Sequence, residues 1–526
     1  MHRLTATLFW ISCLAALPST VSATLVTEPR CALLAKSVLH NARVESVETV
    51  PPGSFQLTQD NSLTGLPSFC RVRGVAKPTP RSNIQFEVWL PISDWNGRIQ
   101  MVGNGGYSPA MNLDQLAALL GSGSVAVATD TGHSGRADDL TFGNGNDEAI
   151  ADWGYRSVHE SIVQAKALVT TFYGKPAQKT YFLGCSTGGH QGLVEAHRYP
   201  EDFDGILAGA PANNRTNLNL SFLWRFIVTH TPGDTRTLLK PADLERANNA
   251  VMEQCDGLDG VRDGVVADPM ACKFDEKRLQ CSAGKTNDCL SEKQVEIMKK
   301  IYDPLKRRDT GDEIYTGWVA GSEWVKGAGG WHRYWADPNN PRQPMRVEYF
   351  RGWAYGDPNW NWWSFDWAKD VDFVRKRLGP MTDMREVALG AFRKRGGKII
   401  FYHGWVDPVV SALDTIAYFE GLKRANPDAS EFARLFMVPG MGHCSGGPGA
   451  TNFSFAMDSD ADHDAVLALQ RWVEEGKAPD RIVATRYKDR TPASGVATTR
   501  PLCSWPRVPT YIGKGSTDDA ANFVCR

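Results

Sequence analysis

Residues 179–200 read KTYFLGCSTGGHQGLVEAHRYP. An apolar strand runs into Gly184-Cys185-Ser186-Thr187-Gly188, and a helical pattern follows at once. That is the setting of a G-x-S-x-G nucleophile elbow: the glycines permit a sharp turn, and the serine projects from the strand end with a helix N-terminus behind it. The pentapeptide alone is a weak signal, because glycine and serine are common. Its position between a strand and a helix is what gives it weight.

Working outward, short β-rich runs recur in two blocks. The first holds IQFEVWLPI (84–92), RIQMVGNGG (98–106), SVAVATDTGH (124–133), KTYFLGCS (179–186) and FDGILAGAP (203–211). The second holds GGKIIFYHGW (396–405) and ARLFMVPGMGH (433–443). Helical stretches lie between them, as at 154–174 and 411–425. Strands alternating with helices, and apolar enough to be covered on both faces, predict a mainly parallel α/β sheet. Residues 213–394 have another texture, rich in Gly, Pro, Trp, Cys and acidic turns, and read as an inserted domain between 24–212 and 395–526. A chain of 526 residues exceeds what one core usually organises, which agrees with that division.

A serine hydroxyl needs a histidine base, and the histidine needs a carboxylate that fixes its tautomer and stabilises its charged form. In α/β-hydrolases they follow in the order serine, acid, histidine, each on a loop after a strand. Asp407 follows KIIFYHGW, and His443 follows RLFMVPG, so both occur in that order and setting. Taken singly, Asp407 before Pro408 reads equally as a turn residue, and a lone loop histidine as a structural one.

The net charge of -1 and 22% charged residues offer no electrostatic reason for nucleic acid or an anionic membrane as partner. A neutral or weakly charged small molecule is expected, and nothing sets the oligomeric state. The N-terminus has a short basic start, an apolar run from about Leu8 to Leu17 and small residues at Val21-Ser22-Ala23, the pattern of a cleaved secretory signal over residues 1–23. The run is shorter than the ~20 apolar residues of a spanning helix. An exported or periplasmic protein is expected. Loss of Cys13 with the signal leaves ten of eleven cysteines, an even number that suggests five disulfides. Sequence does not fix their pairing; near neighbours suggest Cys31 with Cys70, Cys255 with Cys272, Cys281 with Cys289 and Cys503 with Cys525, leaving Cys185 and Cys444. A bridge between those two would hold Ser186 and His443 within about 14 Å. Two buried free cysteines are the alternative.

Cys185-Ser186, Asp407 and His443-Cys444 closely resemble the catalytic motif of the tannase and feruloyl esterase family, in which a disulfide joins the residues flanking serine and histidine. WNGRIQMVGNGG (95–106), DFDGILAGAPA (202–212) and MVPGMGHCSGGPG (437–449) extend the likeness over most of the chain. The resemblance implies an α/β-hydrolase with a lid domain inserted over the active site, a Ser186-Asp407-His443 triad, and an oxyanion hole at the Thr187 and Gly106 amides. Fixed donors of that kind are each worth ~3 kcal/mol. It implies esters of aromatic acids as substrates: hydroxycinnamates first, with gallates or mono(2-hydroxyethyl) terephthalate as alternatives, and no organic cofactor. Comparison with the terephthalate-type member suggests Arg351 as a carboxylate-binding residue.

CDGLDGVRDGVVADPMAC (255–272) brings Asp256, Asp259 and Asp263 into one glycine-rich loop, with the hard oxygen ligands that Ca²⁺ selects. It is similar to the calcium loop of the family's lid, which would add the carbonyls of Val261 and Val265; the expected role is structural. Acidic turns without metal are the plain alternative. Seventeen tryptophans, dense at 330–340 and 351–367, read as packing or as an aromatic ligand surface. A calcium-stabilised binding protein that kept the fold without the chemistry is the rival from another class. All three catalytic positions are intact, which argues against it.

Overall fold

Alternation of buried strands with amphipathic helices builds one large sheet. The structure, a computed structural model, describes residues 30–58, 61–284, 287–326, 329–455 and 460–526; the expected signal segment, with Cys13, lies outside them. The sheet has nine strands: β1 (Ala42–Val50), β2 (Phe69–Ala76), β3 (Ile84–Pro91), β4 (Arg98–Val102), β5 (Val125–Thr129), β6 (Lys179–Cys185), β7 (Gly205–Gly209), β8 (Lys398–Gly404) and β9 (Ala433–Val438). Their spatial order is β1-β2-β3-β5-β4-β6-β7-β8-β9. From β5 through β4 to β9 all pairings are parallel, and β1, β2 and β3 add an antiparallel wing.

The parallel strands are apolar throughout because helices cover both faces. Every residue of β5 and β7 is buried. On one face lie α2 (Ser157–Tyr173), α3 (Thr187–Arg198) and α4 (Ala412–Ala425), contributing Ile162, Leu193 and Phe419 to the core. On the other lie α1 (Leu113–Gly121) and α5 (Ala465–Glu475), contributing Leu116 and Trp472. Among the described residues no helix is long and apolar enough to cross a membrane.

Between β7 and β8 the chain leaves the sheet. This segment carries helices Arg215–Thr229, Pro241–Cys255, Glu292–Tyr302 and Asp370–Thr382, together with two-stranded ribbons. Its ends meet: the Met384 amide donates to the Asn213 carbonyl at 2.8 Å, and Asn213 Nδ2 donates back to the Met384 carbonyl at 3.0 Å. Its own core buries Trp331, Trp335, Tyr349 and Trp353, and runs without a break into Tyr107, Trp153, Val409 and Val410 on the loops above the sheet. The tryptophan-dense stretches therefore serve chiefly as packing.

Disulfides join Cys31–Cys70, Cys185–Cys444, Cys255–Cys272, Cys281–Cys289 and Cys503–Cys525. Four are local staples of 8 to 39 residues. Cys185–Cys444 instead spans 259 residues, and it ties the end of β6 to the loop after β9.

Candidate active site

Ser186 sits between β6 and α3 with φ 62° and ψ -117°, a strained conformation for a residue with a side chain. The turn survives because its surroundings hold it. The Ser186 amide donates to the Gly209 carbonyl at 2.9 Å, and the His190 amide donates to the Ser186 carbonyl at 3.0 Å. The flanking glycines are required for contact: a Cβ on Gly184 would lie 2.5 Å from the Gly188 carbonyl carbon, and one on Gly189 would lie 2.3 Å from the Gly209 oxygen.

Asp407 and His443 occupy the loops after β8 and β9, at the same end of the sheet as Ser186. His443 Nδ1 and Asp407 Oδ2 are 2.6 Å apart. The other carboxylate oxygen of Asp407 accepts the amides of Val409 at 2.8 Å and Val410 at 3.0 Å. Burial favours the protonated form of Asp407, but the charges and hydrogen bonds of His443 and His403 outweigh it and hold the carboxyl well below the usual range. His403, fully buried on β8, puts Nε2 3.3 Å from Asp407 Oδ2. The inserted segment braces this loop: Trp318 Nε1 donates to the Asp407 carbonyl at 3.2 Å, and Arg225 to the Pro408 carbonyl at 3.2 Å.

The Cys185–Cys444 bridge, with Cα atoms 5.9 Å apart, joins the immediate neighbours of Ser186 and His443. The backbones carrying the hydroxyl and the imidazole are thereby held within reach of one another.

The loop after β4 faces the elbow. Its amides divide cleanly: Gly103 donates to Leu183, Asn104 to the Gln191 side chain and Tyr107 to Ala137, while those of Gly105 and Gly106 have no partner among the described residues. The Thr187 hydroxyl donates to the Gly106 carbonyl at 2.7 Å, and Arg215 Nη2 donates to the Thr187 oxygen at 2.8 Å. Thr187 and Gly106 are thus in direct contact.

Arg351 is committed locally, donating through Nε and Nη2 to Glu348 on the same turn, with Nε at 2.7 Å. Arg346 does lie beside the site, its Nη2 3.8 Å from where a Gly106 Cβ would stand. It stacks over Tyr107 and Phe222 with its guanidinium carbon 5.2 and 5.1 Å from their ring centres. Asp138, at 3.4 Å, is its carboxylate partner. Neither Arg346, Arg215 nor Arg225 stood out in the sequence, because the residues they approach come from distant segments and no spacing rule joins them.

In the acidic loop, Asp256 accepts the amides of Asp263, Gly264 and Val265, and Asp259 accepts that of Val261 at 3.0 Å. Burial first, then the charge of Asp263, push Asp259 up to about 6. Arg500 pairs with Asp263 at 2.5 Å. Arg500 thus already faces one of the three carboxylates, and Asp256 is occupied by the loop's own amides.

No spacing in the sequence marks a second cluster. His159, Glu195 and Asp202 hold ligand-type atoms within 4.8 Å of one another, so they are able to take a metal ion. Asp202 already has close partners, however, with His159 Nδ1 at 2.5 Å and Lys166 Nζ at 3.4 Å. Glu195 is buried, and burial first, then the charge of Asp202 and a hydrogen bond shared with it, raise its carboxyl well above the usual range.

Comparison with known proteins places the chain in a family. The family model described as tannase and feruloyl esterase matches residues 70–526. A probable feruloyl esterase B-2 of Aspergillus oryzae is 32% identical over 503 residues, covering 93% of each chain. The mono(2-hydroxyethyl) terephthalate hydrolase of Piscinibacter sakaiensis is 34% identical, covering 88% of this chain and 86% of its own. The crystal structure of feruloyl esterase B from Aspergillus oryzae superposes with a TM-score of 0.85 at 28% identity, over 95% of this chain and 100% of that one. Both the match over nearly the whole length and the shared architecture lead to one statement: the chain belongs to the tannase and feruloyl esterase family and is a carboxylic ester hydrolase with an α/β-hydrolase fold.

Proposed function

We propose that the protein is an exported serine esterase that hydrolyses esters of aromatic acids, with hydroxycinnamate esters as its preferred class. One observation carries the reading: Ser186, on a strained elbow, is tied by a disulfide to the loop of His443, whose Nδ1 is bonded to Asp407. With Nδ1 donating to Asp407, Nε2 of His443 is the nitrogen free to act as base. It takes the Ser186 proton as Oγ attacks the ester carbonyl carbon. The carbonyl oxygen becomes an anion received by the amides of Thr187 and Gly106. Collapse breaks the ester bond, and His443 returns the proton to the departing alkoxide oxygen. Water, activated by the same imidazole, then releases the aromatic acid from the acyl-serine.

The segment 213–394 acts as a lid, and the substrate ring binds beneath it. The names of the relatives support hydroxycinnamate specificity, with gallate esters second. Arg346 favours a further reading, an ester whose acid part carries a second carboxylate, as in the terephthalate hydrolase relative. Asp256, Asp259 and Asp263, with the Val261 and Val265 carbonyls, would hold a structural Ca²⁺ that cross-links the loop and takes no part in bond breaking. Five disulfides and the signal-like N-terminus support export.

The test is kcat/KM for methyl ferulate, methyl gallate, mono(2-hydroxyethyl) terephthalate and p-nitrophenyl decanoate. Methyl ferulate is expected to lead and the decanoate to trail. A win for the long-chain ester would overturn aromatic specificity. If terephthalate leads and Arg346→Ala weakens only that substrate, by about tenfold for one lost charged hydrogen bond, the carboxylate reading replaces the first. A serine-directed fluorophosphonate that fails to label Ser186 would favour the non-catalytic binding protein.

A further inference from the structure

We propose that Arg215 and the Thr187 hydroxyl form a positioning relay that sets the two oxyanion-hole amides relative to each other. This rests on the esterase reading above and adds to it a function for two side chains that do not touch substrate.

The argument starts from donor and acceptor chemistry. A carbonyl oxygen only accepts, and a guanidinium only donates. The Thr187 hydroxyl stands between one of each, the Gly106 carbonyl at 2.7 Å and Arg215 Nη2 at 2.8 Å. Its proton must therefore point to Gly106 and its lone pair to Arg215, so the order of the chain is forced. A cation at the end of such a chain polarises the hydroxyl and strengthens its hold on the carbonyl.

That hold fixes a flexible residue. Gly106 has φ 56°, in the left-handed region where glycine moves freely. On its C-terminal side the Gly106 carbonyl is bound to Thr187 and the following amide, Tyr107 N, to Ala137 at 2.9 Å. Fixing that peptide plane restricts the direction of the Gly106 N–H. The Thr187 amide belongs to the residue whose side chain makes the bond, so one hydroxyl couples both donors.

Arg215 is built for this position. It is buried, and its Nε has no hydrogen-bond partner. Instead of a carboxylate it has ring faces: Tyr107 at 5.6 Å and Trp153 at 5.2 Å. Asp383, whose field reaches it, gives its oxygen to the Thr216 amide at 2.7 Å. Taking a guanidinium out of water with no anion is costly. An anion that forms only during turnover, on the far side of Thr187, would balance it.

The test compares Thr187→Ser, Thr187→Ala, Thr187→Val and Arg215→Met with the wild type and with Ser186→Ala, on the ester turned over best. Thr187→Ala, Thr187→Val and Arg215→Met are expected to lower kcat about 10- to 100-fold with KM within about threefold, as for a misaligned donor. Thr187→Ser, which keeps the hydroxyl, should stay within about threefold of wild type. The Ki of phenylboronic acid, which forms an anionic tetrahedral adduct, should rise in parallel with the loss in kcat, while that of the planar acid product should not. The relay is overturned if Thr187→Ala retains half the wild-type kcat, if Thr187→Ser is as weak as Thr187→Ala, or if the loss lies in KM alone. Should Arg215→Met fail to fold, the serine and alanine variants decide by themselves. Full activity of Ser186→Ala would instead sink the esterase reading, which keeps the two failures apart.

Discussion

The sheet end and the inserted segment meet over the same site but hold their residues by different means. On the sheet, position is set by backbone contact: a Cβ on Gly103 would lie 2.6 Å from the Gly188 Cα, and one on Gly404 would lie 2.2 Å from the Met441 oxygen. In the inserted segment backbone contact recurs, a Cβ on Gly317 lying 1.8 Å from the Tyr302 oxygen, but the residues that brace the site are held by side chains, with Arg225 4.1 Å above Trp318 and 5.0 Å above Phe222. Backbone contact admits almost no variation, whereas ring and guanidinium packing tolerates exchange of neighbours. Chemistry would then be constant and specificity adjustable, each in its own half of the site.

The largest effect should come from the sheet half. Ser186→Ala removes the proposed nucleophile and almost no packing, so turnover should fall by about a thousandfold or more at unchanged Tm. Asp407→Asn should be nearly as damaging, because an amide also presents a donor to His443 and disturbs its tautomer. Its structural load, two backbone amides and two imidazoles, makes a fall in Tm likewise expected. Retention of more than about a thousandth of the activity in Ser186→Ala would break the division between the halves, since the chemistry would then lie elsewhere.

Next comes the bridge that joins two loops of the sheet half. Replacing Cys185 and Cys444 together by alanine should lower kcat by up to about 100-fold at temperatures where both proteins are folded, since small displacements of nucleophile against base are costly. The bridge also restrains the unfolded chain, so Tm will fall too. The separating measurement is kcat per folded molecule. If it is unchanged while Tm drops, the disulfide is a staple like the other four.

What was legible in the sequence follows the same line. Ser186, Asp407 and His443 stand after apolar strands in a fixed order, and strand-end loops keep their place in the fold whatever the loops contain. The antiparallel wing was less visible. β1, ARVESVETV, at the sheet edge, mixes half-buried and exposed residues up to the buried Val50, so no apolar run announces it. In the inserted segment the four longer helices carry no long apolar run that marks them in the sequence, although Ser291 and Gln294 form a capping box and Pro241 opens the helix that it begins. Arg346 and Arg215 were beyond reach, because each matters only through contacts with segments more than a hundred residues earlier or with the elbow itself.

The smallest expected effect belongs to the inserted segment and tests whether it is separate from the chemistry. If Ca²⁺ sits among Asp256, Asp259 and Asp263, it binds only the folded loop and stabilises by RT ln(1 + [L]/Kd), about 2.7 kcal/mol at a hundredfold excess over Kd. In a protein of this size that is a shift of a few degrees in Tm, lost on chelation and restored on adding calcium back. Arg500, bound to Asp263, already supplies one positive charge, so the loop should remain folded at room temperature without the metal. Asp259→Asn should abolish the response to calcium and leave kcat unchanged. Differential scanning calorimetry beside initial rates would separate the two quantities. Activity that follows calcium while the protein stays folded would show that the inserted segment reaches into the reaction, and the two halves of the site would have to be treated as one.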